Sequence, residues 1–421
     1  MLHGSPHAHE RADARTGSRN GADAGVSLSS SQSARMRLAV VGGKLQGTEA
    51  AYLALKAGYE VVLIDRRVDV PAAGLDVIQH VMDITADRAR SEALLGTCDA
   101  ILPACEDEAT LAWLAGHAPR FGVPLLFDLP AYETSSSKVA SNQLFAELDV
   151  PRPLPWPDCG FPAVVKPSTA SGSIGVSIVN DEQELAAART ALEADGHMVV
   201  VEEFVSGPSL SLEVIRYGGA AAVLQPTALE FDRFYDCKRV TAPVEADPAL
   251  LAAFSTATEL IAEGIDLEGL MDIEVMVHGL SPKVIEIDAR VPSQTPTAVL
   301  HSCDVNIVAV LAEAFMNGEL PAVDCSARRG AVYQHVLVEN GTVEVLGEHV
   351  MGSAGPLTLM EDFFGCHEAL TNYRHGASRW AATLISRGDD LAQARKIADE
   401  AVEGIAKQFD LQVLPEGESR D

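Results

Sequence analysis

Two acidic segments near residue 280 hold the residue types best suited to chemistry. Leu270-Met-Asp272-Ile-Glu274-Val-Met276 is followed by a turn through Gly279 and Pro282, then by Val284-Ile-Glu286-Ile-Asp288-Ala-Arg290. Side chains at i and i+2 of a strand share a face. Asp272 and Glu274 therefore point together, as do Glu286, Asp288 and Arg290, and a hairpin stacks the two rows while Ile and Val fill the buried side. Carboxylates this close repel one another, and divalent cations relieve the repulsion; an all-oxygen set favours Mg²⁺ over Zn²⁺. The pattern points to a metal–nucleotide site. The plain alternative is an exposed hairpin whose alternation only separates core from solvent.

Other segments could position a nucleotide over that hairpin. Phe161-Pro-Ala-Val-Val-Lys166-Pro167 reads as a strand ending in a lysine, and Ser171-Gly172-Ser173-Ile-Gly175 as a loop of small residues. Such a loop can present several backbone amides to a phosphate. Met198 to Gly207 reads as a strand that turns polar at Glu202-Glu203-Phe204-Val205 and continues into a hinge. A helix from Lys138 to Leu148 precedes this block. Further on lie strands at Leu210–Ile215 and Ala220–Leu224, a loop through Tyr235-Asp236-Cys237-Lys238, and helices from Pro248 to Glu263 and from Asp389 to Phe409.

The chain opens differently. Arg37-Leu-Ala-Val-Val41, a glycine turn Gly42-Gly43-Lys-Leu45-Gln46-Gly47, a helix from Thr48 to Ala57 and the strand Glu60–Asp65 make a βαβ unit, so an α/β fold with a parallel sheet is expected first. The glycine spacing is not the dinucleotide fingerprint, although amides at a helix start attract anions. Further strands are expected at Ala100–Pro103 and Pro124–Phe127, with a helix around Ala109–His117 between them. Four segments follow: 1–35, a disordered tail or a start codon placed too early; 36–132, the parallel-sheet domain; 133–207, a small α+β unit; and 208–415, the unit with the acidic hairpin.

Bulk properties narrow the function. A chain of 421 residues, 47% of them hydrophobic, is long enough for two or three domains. Its net charge of -29 argues against nucleic acid or an anionic membrane as partner. Seven cysteines without a Cys-x-x-Cys pair suggest neither a disulfide framework nor a zinc site, which fits the cytoplasm. No apolar run reaches the length of a membrane helix.

Lys138, Lys166-Pro167, the Ser171–Gly175 loop, Glu202 to Val205, Glu274 and Glu286-x-Asp288-x-Arg290 occur in the order found in ATP-grasp carboxylate–amine ligases, which the chain resembles. From Met36 to near residue 412 it is similar to the branch of that family that joins 3-methyl-D-ornithine to L-lysine in pyrrolysine biosynthesis. The words shared are Val-Gly-Gly-Lys-Leu-Gln-Gly-x-Glu-Ala-Ala-Tyr (41–52), Leu-Phe-Asp (126–128), Tyr-Asp-Cys (235–237), Gly-Leu-Met-Asp-Ile-Glu (269–274) and Ile-Glu-Ile-Asp-Ala-Arg-Val-Pro-Ser-Gln-Thr-Pro-Thr (285–297).

The resemblance implies an ATP-grasp fold after a Rossmann-like domain, and a carboxylate activated by ATP as an acylphosphate for attack by an amine. It implies that Lys138 and Lys166 hold ATP phosphates under the loop of Ser171, Gly172 and Ser173, and that Glu202, Glu203, Phe204 and Val205 line the adenine. Either Glu203 or Glu213 lies near adenine or ribose. Glu274, Glu286 and Asp288 hold two Mg²⁺ ions, and Arg290 stabilises the acylphosphate or its tetrahedral adduct. Asp288 stands where the wider family commonly has Asn. Leu45, Gln46, Tyr235, Asp236, Ser293, Gln294 and Thr295 are implied contacts of the amino-acid substrates, Asp236 with an ammonium. Tyr235-Asp236 can equally be a satisfied loop pair, and Ser293 to Thr295 a helix cap. A homodimer is the assembly that analogy suggests. Other ligases of the family, acting on D-alanine, amino acids or purine precursors, remain open, as does a non-catalytic ATP-binding protein.

Overall fold

A parallel sheet begins the chain, as the βαβ pattern requires. The computed structural model describes residues 35–415 apart from Ser171 and Ser173, so the expected tail lies outside the described residues save for Arg35. Strands β1 (Arg37–Val41), β2 (Glu60–Asp65), β3 (Ile78–Val81) and β4 (Ala100–Pro103) pair in the order β3-β2-β1-β4, all parallel. The first helix runs Leu45–Lys56, three residues ahead of the expected start. Two glycines permit this early start. Gly42 has φ +108°, and a Cβ on Gly47 would fall 2.0 Å from the Gly42 carbonyl oxygen. Pro124–Phe127 is not a strand; Leu125 makes a single bridge to Ile101, and Leu126 is taken into the core.

The second sheet has three strands, β5 (Ala163–Pro167), β6 (Ser177–Val179) and β7 (Val199–Glu203), ordered β6-β5-β7 and antiparallel. The third and largest contains β8 (Ser209–Tyr217), β9 (Ala220–Val223), β10 (Thr227–Phe231), β11 (Cys237–Ala242), β12 (Gly269–His278) and β13 (Ser281–Asp288). It continues through β14 (Gly330–Glu339), β15 (Thr342–Val345), β16 (Thr358–Glu361), β17 (Glu368–Thr371), β18 (Trp380–Gly388) and β19 (Gln412–Val413). Its main path is β13-β12-β8-β10-β11-β14-β18-β17-β16, so the acidic hairpin is one edge. The long C-terminal helix, Leu391–Phe409, buries its alanine face, with Ala394, Ala398 and Ala401 at 0–1% exposure.

The first and third sheets share a core. Leu38, Ala51 and Leu53 pack in one cluster with Val299, Val308 and Leu311 from the helices Thr295–Cys303 and Ile307–Asn317. Their complete burial is the main apolar stabilisation of this junction, at about 25 cal/mol per Å² removed from water. A buried polar link reinforces it: the Tyr52 hydroxyl donates to Glu368 at 2.8 Å, and Lys56 meets the same carboxylate at 2.7 Å. The ends of β1 and β4 are thereby held beside the acidic hairpin.

Candidate active site

The hairpin has the expected two rows, and β8 extends each. Register places Glu213, Asp272 and Asp288 side by side across three strands, and Ser211, Glu274 and Glu286 in the next row. Ile273, Val275 and Ile287 occupy the opposite, buried face. The Ser211 hydroxyl donates to Asp272 through a short contact. Burial, with the charges of Asp272, Glu286 and Asp288, pushes Glu274 well above the usual carboxylate range. Burial also raises Asp288 to about 7, even though Arg290 opposes the rise. The rows thus hold more negative charge than their cations neutralise, and Asp288 Oδ1 is buried without a partner among the described residues. This all-oxygen set fits divalent cations.

Lys138 and Arg290 reach these acids, and Lys166 reaches the backbone beside them. Ser137 caps the helix Lys138–Glu147, and Lys138 Nζ donates to Glu286 Oε1 and to the Ala170 carbonyl, both at 2.8 Å. Lys166 Nζ lies 2.5 Å from Glu202 Oε1 and donates to the Ile285 carbonyl at 3.2 Å. Asn142 supports Glu202 from the helix, donating to its other oxygen at 3.2 Å. Arg290 lies beyond the end of β13 rather than in the strand row, yet it still meets Asp288 at 2.6 Å. It also meets Glu106 at 2.8 Å, and Glu106 accepts from Gln46 at 3.0 Å. A continuous polar chain thus runs from Gln46, in the first turn of the helix Leu45–Lys56, to the carboxylate rows.

Gly172 lines the same cavity as Glu274, Glu286 and Asp288, whereas Ser171 and Ser173 lie outside the described residues. The two acids read as neighbours of adenine or ribose part company. Glu203 stays in the hinge strand β7, held by Lys283 at 2.6 Å and by the Leu154 amide at 3.0 Å. Glu213 sits on β8 beside Asp272, away from that strand and closed to solvent, and burial with the Asp272 charge raises its pKa. The Glu203 amide donates to Leu154 and the Phe204 amide to Pro162, while Val205 is buried in the hinge.

On the substrate side, Tyr235, Asp236, Ser293, Gln294 and Thr295 line the carboxylate cavity, which measures about 160 Å³. Leu45 and Gln46 instead line a larger neighbouring cavity, about 530 Å³, at the ends of β1, β2 and β4. Gln294 precedes the helix Thr295–Cys303 but makes no side-chain cap bond. Two contributors were missed. Glu106 follows β4 at the carboxyl end of a parallel sheet, a position that could have singled it out. Glu348 comes from the segment after β15 and belongs to no motif; it accepts from Ser293 Oγ at 2.6 Å and Gln294 Nε2 at 2.9 Å.

One buried acid beside this cavity makes a stability prediction. Glu49 is 2% exposed and accepts from the Thr297 amide at 2.7 Å, and burial lifts its pKa from 4.5 to about 7. Between those values the folded chain keeps a proton that the unfolded chain has lost, so stability falls as pH rises from about 5 to about 7. Glutamine retains the acceptor and removes the titration. Glu49→Gln should therefore melt higher than the parent at pH 8, by up to about 3 kcal/mol, and almost equally at pH 5. Parallel melting curves at the two pH values would refute this.

Comparison with known proteins decides the family. The model for the D-Ala–D-Ala ligase C-terminus matches residues 156–292. The 3-methyl-D-ornithine–L-lysine ligase of Methanosarcina mazei is 36% identical over 315 residues, spanning 75% of this chain and 81% of that protein. The chain belongs to this ligase family. Solved structures agree on the ATP-grasp fold. An ADP complex of N5-carboxyaminoimidazole ribonucleotide synthetase superposes with a TM-score of 0.66 at 15% identity, covering 89% of this chain and 98% of that one. An L-amino acid ligase from Bacillus licheniformis gives 0.62 at 16% identity, covering 87% and 98%. Within the ligase family, the hairpin rows, both lysines and Arg290 are all present in this chain.

Proposed function

We propose that the protein couples the carboxylate of 3-methyl-D-ornithine to the ε-amine of L-lysine at the expense of ATP, with Mg²⁺ held by Glu274, Glu286 and Asp288, in the cytoplasm. The observation that carries this reading is the joining of the two carboxylate rows, through Arg290 and Glu106, to Gln46 at the start of the first helix. Two neighbouring cavities, one holding the carboxylate rows and the other Gln46 and Glu106, are thereby linked.

The chemistry needs two steps. A carboxylate oxygen attacks the γ-phosphorus of ATP, giving an acylphosphate and ADP; the neutral ε-amine then attacks the acyl carbon, phosphate leaves, and the amine proton passes to solvent. Glu274, Glu286 and Asp288 would hold Mg²⁺, which when bound would supply neutralisation of phosphate charge. Lys138 and Lys166 place two further cations beside the rows before reaction begins, so little reorganisation is needed. Arg290, anchored by Asp288 and Glu106, stands ready for the oxyanion of the second step. Phosphate release tests the reading. It should require ATP, Mg²⁺ and both amino acids, with D-ornithine serving for its methylated relative; equal release with D-alanine pairs would contradict it.

A further inference from the structure

Cys303 ends the helix Thr295–Cys303 and is 0% exposed, while Cys325 lies half-buried in the segment that follows the helix Ile307–Asn317. All seven cysteines are free thiols. These two touch: the Cys325 thiol donates to Cys303, which lowers the Cys303 pKa and raises its own. The Cys303 thiol in turn donates to the Val299 carbonyl at 3.3 Å.

The chain on both sides of this contact is strapped down. The Ser302 carbonyl accepts from the Arg328 and Arg329 amides at 3.0 and 3.2 Å, and the Ser302 hydroxyl donates to the Arg329 carbonyl at 2.9 Å. Asp304 accepts from both guanidiniums, Arg328 at 3.1 Å and Arg329 at 2.9 Å. From the opposite side, Gln225 donates to the Cys325 carbonyl at 3.4 Å. The sulfurs are thus held together by contacts other than their own, the condition for a bridge without large backbone movement. A bond between them would enclose the helix Ile307–Asn317, whose Val308 and Leu311 pack with Leu38 and Leu53 where the first and third sheets meet. Asn306, which caps that helix, also donates to the Leu53 carbonyl at 2.7 Å.

We propose that Cys303 and Cys325 are a redox-sensitive pair that a disulfide oxidant closes into a bridge, clamping the junction helix. The more accessible Cys325 sulfur, as thiolate, attacks the oxidant's disulfide and releases one of its thiols, leaving a mixed disulfide; Cys303 then displaces the second thiol. The pair loses two electrons and two protons, and the oxidant gains them as two thiols. In a reducing compartment the pair stays open, so the bridge marks a shift toward oxidising conditions. Neither cysteine lines the carboxylate cavity or its neighbour, and the pair does not depend on the ligase reading.

The test incubates the full chain with oxidised glutathione, alkylates the remaining thiols and maps the digest by mass spectrometry. Free thiols should fall from seven to five, with one cross-linked peptide pair holding Cys303 and Cys325. The melting temperature should rise by about 3–8 °C, because the closed loop restricts the unfolded chain, and dithiothreitol should reverse the rise. Cys325→Ser should melt with the parent in dithiothreitol and show no rise with the oxidant. The peptide map of the parent stands alone should that variant fold poorly. Seven remaining thiols, glutathione retained on Cys325 without a bridge, a bridge between other cysteines, or a bridge with no reversible rise in melting temperature overturns the proposal.

Discussion

Glu286→Gln should reduce phosphate release at least about 100-fold, because even residues that merely support metal ligands change activity by that much. Glutamine keeps the shape of Glu286 but removes the charge opposite Glu274 and the anionic partner of Lys138. The fold should survive. Glu286 has a side chain 36% exposed, and its loss relieves repulsion on Glu274, whose ordinary ionisation is suppressed in part by Glu286. The expected result is a variant melting within a few degrees of the parent but nearly inactive at saturating ATP and Mg²⁺. Turnover within a fewfold of the parent would remove Glu286 from the reaction.

Arg290→Met should act at a different step. Its guanidinium joins Asp288 to Glu106 with a side chain only 13% exposed. Removing it leaves a buried acid unpaired, at a cost of about 3 kcal/mol or more, and withdraws a cation from the developing oxyanion, typically worth about 10²–10³ in kcat. ATP affinity should change little. Arg290→Lys should rescue only part of the loss, since an ammonium lacks the planar fork that spans two carboxylates. Single-turnover measurement of amide formation separates the outcomes: a variant slowed only in ATP binding would place Arg290 outside the second step.

Much of this site was legible because its logic is local. Period-two alternation set Asp272, Glu274, Glu286 and Asp288 on one face, and the Gly279 turn fixed the order of the rows. The helix start at Lys138 and the lysine before Pro167 were equally local signals. Partners that arrive through tertiary contact were not visible. Glu213 is named with Glu203 only through the resemblance, and its place beside Asp272 follows from the pairing of β8 with β12, which no local pattern announces. Glu106 meets Arg290 across the junction of the first and third sheets, and Glu348 reaches Ser293 and Gln294 from the segment after β15. Pro124–Phe127 has strand composition, yet the sheet beside it offers Leu125 only one bridge.

The most direct test of the account is mass spectrometry of the product formed from ATP, Mg²⁺, D-ornithine and L-lysine. The account predicts a single condensed dipeptide whose fragments place the new amide on the ε-nitrogen of lysine, formed in step with ADP and phosphate. A bond to the α-nitrogen, or ATP hydrolysis with no condensed product, would contradict it.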